Sequence, residues 1–347
     1  MVEKSLVGLF GEMKASVIVP TRNRADVLDQ CLESLCAQSF PIDEFEVIVI
    51  DNGSTDHTLE VVNRYKDQLQ LRYRYVKEPG LHVGRHEGCH LAKSDLLMYI
   101  DDDVVVSSEW VSSVVETFQD VKVSLVGGNN YPNFEVAPPE WLTHMWNEKK
   151  PIGKMAPSLS ILDFGEGFLE TDPYLVWGCN FSIRKDVLKA AGGFHPDGVP
   201  KDRLRFRGDG ETHVSDFIKK SGLKAMFNSS ASVHHLVSID RMTPQYFEQR
   251  SYLQGISDSY THIRRYAGID LPISLKFKQF VSGVRSQFRN RLGFINNGRD
   301  SVVNQVVAIQ RAMKTAYWQG YSFHRSEVKS DPLLLQWVLQ ESYMPQG

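Results

Sequence analysis

The chain has 347 residues, of which 42% are hydrophobic and 23% are charged, and its formal net charge is −3. This composition can fill one large core or two smaller ones, and it excludes a disordered or low-complexity chain. The near balance of charge also excludes a strongly basic nucleic-acid-binding protein.

The first 128 residues alternate predicted strands and helices. Short apolar runs predict buried strands, and apolar residues at helical spacing predict helices between them. This alternation is typical of an α/β fold in which helices flank both faces of a mostly parallel sheet. The predicted strands are 15–20, 45–50, 71–76 and 96–101, and the predicted helices are 24–39, 54–69, 82–93 and 110–118.

The rest of the chain has a different organisation. Residues 129–171 have weak periodicity, which predicts an irregular insertion with a short helix at 139–147. The segments predicted after it are a strand at 177–182, helices at 185–191 and 211–220, and mainly helices from Thr243 onward. We therefore expect an α/β domain over residues 1–240 and a helical C-terminal region over residues 241–347.

The cysteines and the apolar runs bear on where the protein resides. The four cysteines form no Cys-x-x-Cys pair and have no His at zinc-finger spacing, which favours small buried side chains in a reducing cytoplasm. No apolar run approaches the roughly 20 residues of a membrane span. The first residues are too short and too interrupted by charge for a secretory signal. We therefore expect a cytoplasmic protein.

Polar residues follow three of the predicted strands directly. In an open parallel sheet, ligands bind beyond the carboxyl ends of the strands. The segment 20–24 (PTRNR) follows the first strand, 51–56 (DNGSTD) follows the second, and 101–103 (DDD) ends the fourth. These segments are the candidate binding residues.

Each of these segments has two interpretations. Three consecutive carboxylates suit Mg²⁺ or Mn²⁺ bound together with substrate phosphates, but they also suit a solvated turn that caps the next helix. Asp51 could accept hydrogen bonds from a base or a ribose, or it could cap the following turn and helix. Arg22 and Arg24 could bind a phosphate or remain ordinary surface charges.

Two common nucleotide-binding motifs are missing from the sequence. There is no Gly-x-Gly-x-x-Gly after the first strand and no Gly-x-x-x-x-Gly-Lys-Ser/Thr. The usual sequence argument for a dinucleotide dehydrogenase or a P-loop NTPase is therefore absent. A site that binds a nucleotide through carboxylates, a metal ion and contacts to the base remains as an interpretation.

The order of the motifs resembles the inverting family 2 glycosyltransferases of the GT-A fold. The resemblance covers about residues 14–255, and the segment RMTPQYFEQRSYLQG at 241–255 is similar to bacterial members that glycosylate cell-surface or secondary-metabolite acceptors. Each motif alone is weak, but their number, order and spacing are specific. The motifs are ASVIVPTRNR, VIVIDNGSTD, GLHVGRHEG, MYIDDD, WGCNFSIRKDVLKAAGGF, GDGET and VHH.

The resemblance implies roles for individual residues. It implies a Mn²⁺ or Mg²⁺ site at Asp103 and His235, with His234 as the alternative to His235. The nucleotide-sugar site would comprise Pro20, Thr21, Arg22 and Arg24 in the nucleotide pocket, Asp51 at the base, Arg85 at the phosphates, Asp101 and Asp102 towards the ribose, and Trp177 and Asn180 beside the sugar and acceptor.

The general base has two candidates. Family members usually carry Glu-Asp where this chain has the segment GDGET at 208–212. Counting back from Gly222 places Glu211 at the position of the catalytic Asp, and Asp209 lies two residues earlier. Both could also be first-turn carboxylates of the following helix.

The resemblance implies a metal-dependent transfer of a sugar from a nucleoside diphosphate sugar, with UDP as the expected nucleotide, to a hydroxyl acceptor. The acceptor could be a saccharide, a lipid-linked molecule or a small molecule. A carboxylate base takes the acceptor proton in a single displacement, so no protein nucleophile is needed. The alternatives are a sugar nucleotidyltransferase and a non-catalytic module that binds nucleotide sugars.

Positive charge is concentrated near the C-terminus. Residues 264–325 contain eleven Lys and Arg against two Asp, so they carry +9 and the rest of the chain carries −12. Apolar residues alternate with these cations in a helix-like way, which suggests the hypothesis of a salt-sensitive peripheral membrane contact through Lys276 to Arg291. The competing interpretation is that the apolar residues pack on the catalytic domain or on a second subunit of a homo-oligomer.

Overall fold

The computed structural model of the protein describes residues 13–148, 150–268 and 301–345. Its first part confirms the predicted alternation of strands and helices, with one additional short strand after the three aspartates. The elements are β1 (Ala15–Thr21), α1 (Ala25–Cys36), β2 (Phe45–Asp51), α2 (Thr58–Arg64), β3 (Leu71–Tyr75), α3 (Leu81–Leu91), β4 (Leu96–Ile100), β5 (Val104–Val106) and α4 (Trp110–Thr117).

The middle of the chain is more regular than its sequence suggests. The short helix of the expected irregular insertion is confirmed, but the described part of the segment also contains four short strands, most of which are too brief to show alternation. The elements are β6 (Val123–Gly127), β7 (Asn130–Phe134), α5 (Glu140–Asn147), β8 (Lys154–Ala156), β9 (Ile161–Asp163), β10 (Phe168–Glu170), β11 (Asn180–Arg184), α6 (Lys185–Ala190), α7 (Thr212–Lys220), β12 (Lys224–Asn228) and β13 (Val233–Val237).

The main sheet has eight strands in the order β10-β12-β6-β11-β4-β1-β2-β3. The strands β4, β1, β2 and β3 run parallel, whereas β11 is antiparallel to both β4 and β6, so the expected open α/β sheet is mixed. Every residue of β1 and β2 is buried, which explains their continuous apolar sequences. Apolar clusters cover both faces of this sheet.

A second sheet brings a distant histidine to the three aspartates. Its five strands have the order β5-β13-β7-β9-β8. The strand β5 begins directly after Asp103 and pairs antiparallel with β13, where Val104 lies opposite His235. The register therefore places His235 next to Asp103, although 132 residues separate them in the sequence.

The C-terminal helices are α8 (Pro244–Arg265), α9 (Ser301–Ser330) and α10 (Pro332–Leu339). Within this region α8 and α9 cross at two glycines: a Cβ on Gly255 would overlap the carbonyl oxygen of Tyr317, and a Cβ on Gly320 would overlap that of Tyr252. Two small residues are therefore needed for the backbones to approach this closely.

The chain after α10 returns to the main sheet. The Ser342 hydroxyl donates a hydrogen bond of 3.0 Å to the carbonyl oxygen of Gly192 at the end of α6, and Met344 packs against the core on that face. No helix of the described ranges is long and apolar enough to cross a membrane. The basic segment Lys276 to Arg291, expected to contact a membrane, lies outside the described residues.

We expect Gly255→Ala and Gly320→Ala each to lower the free energy of unfolding by about 1–3 kcal/mol, because the added methyl group would push the two helices apart. Gly268→Ala is the control, since open space surrounds Gly268. Thermal and denaturant unfolding would measure the difference. Equal stability of the three variants would contradict the close helix crossing.

The fold also contains a buried histidine that makes its stability depend on pH. His324 on α9 is fully buried beside the Ser259 hydroxyl, and burial lowers its pKa to about 4. The unfolded chain, with a His pKa of about 6.5, therefore binds an extra proton between these values, and the contribution of His324 to stability is lost as pH falls from about 6.5 to about 4.

We expect His324→Gln to reduce the loss of stability between pH 7 and pH 4.5 by about 1–3 kcal/mol relative to the parent. Denaturant unfolding of both proteins at the two pH values would measure this. The same loss in both proteins would show that His324 does not titrate as described.

Candidate functional site

The carboxyl ends of β1 and β4 enclose a cavity of about 230 Å³, which we call the first cavity. Six of the residues expected to bind a nucleotide sugar line it together, as the topology of a parallel sheet predicts. These residues are Pro20, Thr21, Arg22, Arg24, Asp101 and Asp102, and the further lining residues are Asn52, Gly80, Leu81 and Gly198.

Asp51 lies outside the lining of the first cavity. One of its carboxylate oxygens accepts a hydrogen bond of 2.7 Å from the Ser54 backbone N–H, and the other accepts one of 2.7 Å from the Tyr73 hydroxyl. One oxygen of this buried carboxylate therefore stabilises the turn after β2, which is the capping role considered above, and the other joins β2 to β3.

Asp102 faces the loop after β1. Its carboxylate accepts hydrogen bonds from the Thr21 hydroxyl at 2.7 Å and from the Arg24 guanidinium at 2.5 Å. Burial raises the pKa of Asp102 to about 7 against the effect of Arg24, and the adjacent Asp103 adds to the increase. These hydrogen bonds therefore hold the loop after β1 against Asp102, and both form part of the wall of the first cavity.

Asp103 is the most heavily paired of the three aspartates. One of its oxygens lies 3.2 Å from Nε2 of His235, and the other lies 2.7 Å from Arg24 and 3.0 Å from Arg241. Burial opposes ionisation, but His235, Arg24 and Arg241 together hold the pKa of Asp103 well below its usual range. Asp103 is therefore an ionised carboxylate in a buried position.

The residues Asp101, Asp103 and His235 form a candidate metal group. Among the described residues, one ligand atom from each lies within 4.8 Å of the other two. His235 is 1% exposed, and its Nδ1 has no hydrogen-bond partner in that part of the chain. Two carboxylates and an imidazole suit Mn²⁺ and tolerate Mg²⁺. His234, the alternative ligand, points to the exposed face of β13 beside Tyr131.

A second cavity of about 240 Å³ adjoins the first and shares Asp101 with it. Arg85 is buried at its centre: its guanidinium donates a hydrogen bond of 3.0 Å to the Gly178 carbonyl oxygen and lies 3.4 Å from Asp101, 3.6 Å from Glu211 and 3.9 Å from Asp197. These three carboxylates outweigh the cost of burial and raise the pKa of Arg85. Arg85 therefore remains a cation that holds the acidic groups in place.

The two candidate bases have different surroundings. Asp209 is a buried carboxylate that accepts hydrogen bonds of 2.8 Å from Nδ1 of His195 and 2.6 Å from the Thr261 hydroxyl. Glu211 accepts a hydrogen bond of 3.0 Å from the Gly178 N–H, and its side chain is 28% exposed. Both line the second cavity, but both oxygens of Asp209 are used to join α8 to the loop after α6.

Trp177 and Asn180, which were expected beside the sugar, lie behind the described cavities. The Trp177 indole N–H donates to the Tyr174 carbonyl oxygen at 3.2 Å. The buried Asn180 amide accepts from the Trp110 indole at 3.0 Å and donates to the Ala231 carbonyl oxygen at 2.9 Å. In this arrangement both side chains support the wall of the second cavity, to which Gly178 and Cys179 contribute directly.

Sequence reasoning missed much of the second cavity. Its further charged residues come from a loop after α6 and from the segment that includes α8, which no nucleotide-binding motif marks. The only signal was the resemblance over residues 241–255, together with the helical spacing of positions 250, 254 and 257 on α8. The missed residues are Asp197, Arg207, Arg241, Arg250 and Gln254.

The chain is similar to known proteins over part of its length. Residues 16–191, half of the chain, match the family described as glycosyl transferase family 2. Validoxylamine A glucosyltransferase of Streptomyces hygroscopicus subsp. jinggangensis is 40% identical over 198 residues, which are 52% of this chain and 47% of that protein. Glycosyltransferase AglE of Haloferax volcanii is 32% identical over 187 residues, which are 52% of this chain and 55% of that protein.

A solved structure resembles the whole fold. The mannosyltransferase PcManGT from Pyrobaculum calidifontis, in complex with GDP-Man and Mn²⁺, has a TM-score of 0.50 and 16% identity, and the match covers 92% of this chain and 75% of that one. The likeness at this identity concerns the fold alone. By sequence, the matched part of this chain spans about half the length of the two relatives named above.

Proposed function

Because the chain belongs to glycosyl transferase family 2, we propose that it transfers a sugar from a nucleoside diphosphate sugar to a hydroxyl acceptor with inversion at the anomeric carbon. The observation that carries this proposal is the arrangement of the two cavities. They adjoin at Asp101, with the candidate metal group next to them and Glu211 in the second cavity.

The first cavity is the proposed site of the nucleotide, and UDP is the nucleotide to be tested first. Its polar wall after β1 offers the Thr21 and Arg24 side chains, and its position at the carboxyl edge of the sheet is where open α/β sheets bind ligands. The name of one relative specifies glucosyl transfer. We therefore take UDP-glucose as the first donor to be tested.

The proposed metal ligands are Asp101, Asp103 and His235. A divalent cation bound there would neutralise charge on the departing diphosphate. The solved neighbour that contains Mn²⁺ supports the fold, and the proximity of the three ligand atoms supports the metal. Arg24 and Arg241, which already contact Asp103, would add positive charge to the same place.

Glu211 is the proposed general base. A base must be within reach of the acceptor hydroxyl, so its carboxylate must face the second cavity and keep an oxygen available. Glu211 meets this requirement because the Gly178 N–H orients one oxygen, while the other lies 3.6 Å from Arg85. Asp209 is the runner-up, and its hydrogen bonds to His195 and Thr261 favour a structural role.

We also propose a division of labour between the two parts of the chain. Residues 1–240 would form the catalytic domain with the nucleotide and metal sites. Residues 241–347 would complete the second cavity, because Arg241, Arg250, Gln254 and Ser257 line it.

Asp103→Ala should abolish Mn²⁺-dependent binding of UDP and reduce donor turnover, because it removes a metal ligand. Asp120→Ala is the control, since Asp120 is an exposed carboxylate paired with Lys224 far from the group. Calorimetric titration of UDP with and without Mn²⁺, and the release of UDP from UDP-glucose, would measure both effects. Full activity in excess chelator would contradict metal dependence. Formation of UTP and glucose 1-phosphate from UDP-glucose and added pyrophosphate, instead of UDP, would indicate a nucleotidyltransferase.

Glu211→Gln should reduce sugar transfer by about 10²- to 10⁴-fold, while UDP affinity and thermal stability stay near those of the parent, because Gln keeps the hydrogen bond to Gly178 and Asp101 and Asp197 still pair with Arg85. Asp209→Asn should instead lower the melting temperature, because a buried amide cannot accept from both His195 and Thr261. Transfer rates and melting curves of both variants would separate these roles. Loss of transfer in Asp209→Asn with normal stability, and retained transfer in Glu211→Gln, would reverse the assignment.

A further inference from the structure

Four arginines and four carboxylates line the second cavity, but two of these arginines have no carboxylate within ion-pair distance among the described residues. Among the described residues, Arg85 is surrounded by Asp101, Asp197 and Glu211, while Arg241 is paired with Asp103. Arg207 and Arg250 also line the cavity, and neither has a carboxylate within 4.0 Å in the described ranges.

The position of Arg207 is fixed by α8. Its Nε donates a hydrogen bond of 3.3 Å to the Ser257 hydroxyl, which itself donates 2.7 Å to the Gly208 carbonyl oxygen. Gln254 and Arg250 lie one and two turns earlier on the helix and line the same cavity. The two guanidinium groups are therefore brought together by a short loop and by one face of α8.

The charges of this pair are compensated only by carboxylates beyond ion-pair distance. Burial lowers the pKa of Arg207; Asp197 and Glu211 raise it, and the neighbouring Arg250 lowers it. Burial also raises the pKa of Asp197 to about 6 against Arg85, so this carboxyl is a weaker counter-ion than an exposed one. Two neighbouring cations beside a cavity favour an anionic ligand, and a guanidinium binds phosphate or carboxylate oxygens in a bidentate way.

We propose that Arg207 and Arg250 form a subsite for an oxyanion, a phosphate or a carboxylate, carried by the acceptor beside Glu211. This inference rests on the proposed function. The two arginines line the cavity that contains the candidate base, and they do not line the first cavity, where the nucleotide is placed. The two arginines could instead bind the diphosphate of the donor, so the experiments must distinguish an oxyanion of the acceptor from one of the donor.

The first experiment measures the binding of inorganic phosphate to protein already saturated with UDP and Mn²⁺, by calorimetry or ³¹P NMR. We expect the parent to bind phosphate and Arg250→Gln to bind it about tenfold or more weakly, because a charged hydrogen-bonding partner is lost. Arg250→Lys should retain part of the affinity. Arg203→Gln is the matched control, since Arg203 is an exposed arginine paired with Glu78.

The second experiment measures UDP affinity in the presence of Mn²⁺ for the same variants, together with their melting temperatures. We expect UDP affinity in Arg250→Gln to remain within about a factor of two of the parent, since an acceptor subsite leaves the donor untouched. Arg207→Lys keeps the charge and tests whether the fork geometry of arginine is needed.

Three results would overturn the proposal: no phosphate binding to the UDP-saturated parent, binding that Arg250→Gln leaves unchanged, or weaker UDP binding in Arg250→Gln. The last would assign the arginines to the donor diphosphate. If UDP with Mn²⁺ fails to bind the parent at all, the proposed function itself fails, and that result is distinct from the loss of phosphate binding alone.

Discussion

The ionised Asp103 is the point on which the site depends. It lies between β4 and β5, and its two oxygens contact groups from three other segments: Arg24 after β1, His235 on β13, and Arg241 before α8. A buried carboxylate is costly unless it is paired, and removal of one partner leaves the others uncompensated. The pairing therefore locks the main sheet, the second sheet and the helical region into one relative arrangement, and it does so where a cation would bind.

Arg85 has the corresponding role in the second cavity, with the signs reversed. A buried guanidinium holds Asp101, Asp197 and Glu211 around itself and stacks on the Phe194 ring, 5.1 Å from its centroid. Because Asp101 also belongs to the candidate metal group, the two charge clusters are connected through one carboxylate. From the first cavity to the second, the cation Arg24 is followed by the carboxylate Asp101 and then by the cation Arg85. This arrangement suits a substrate that carries charged and uncharged parts in sequence.

The sequence predicts well what depends on local pattern. The strands before Pro20, Asp51 and Asp101 were identifiable because they are buried on both faces, and the polar residues after them follow from the topology of a parallel sheet. The contact between Asp103 and His235 depends on the register of two short strands, and no local signal encodes it. Arg207 lies on a loop and Arg250 on α8, whose sequence pattern reflects only its packing, so their shared position at the second cavity can be recognised only from the packed structure.

The hydrogen bond from Ser342 to Gly192 joins residues 150 positions apart. During synthesis the amino-terminal part of a chain emerges and folds first. The strands that surround the first cavity are therefore synthesised before α8 to α10, and the late, long-range contact between the chain after α10 and Gly192 is the slower kind of contact. The residues that line the first cavity are thus complete in a nascent chain before those of the second cavity have been synthesised. The order of translation therefore separates the assembly of the two cavities in time.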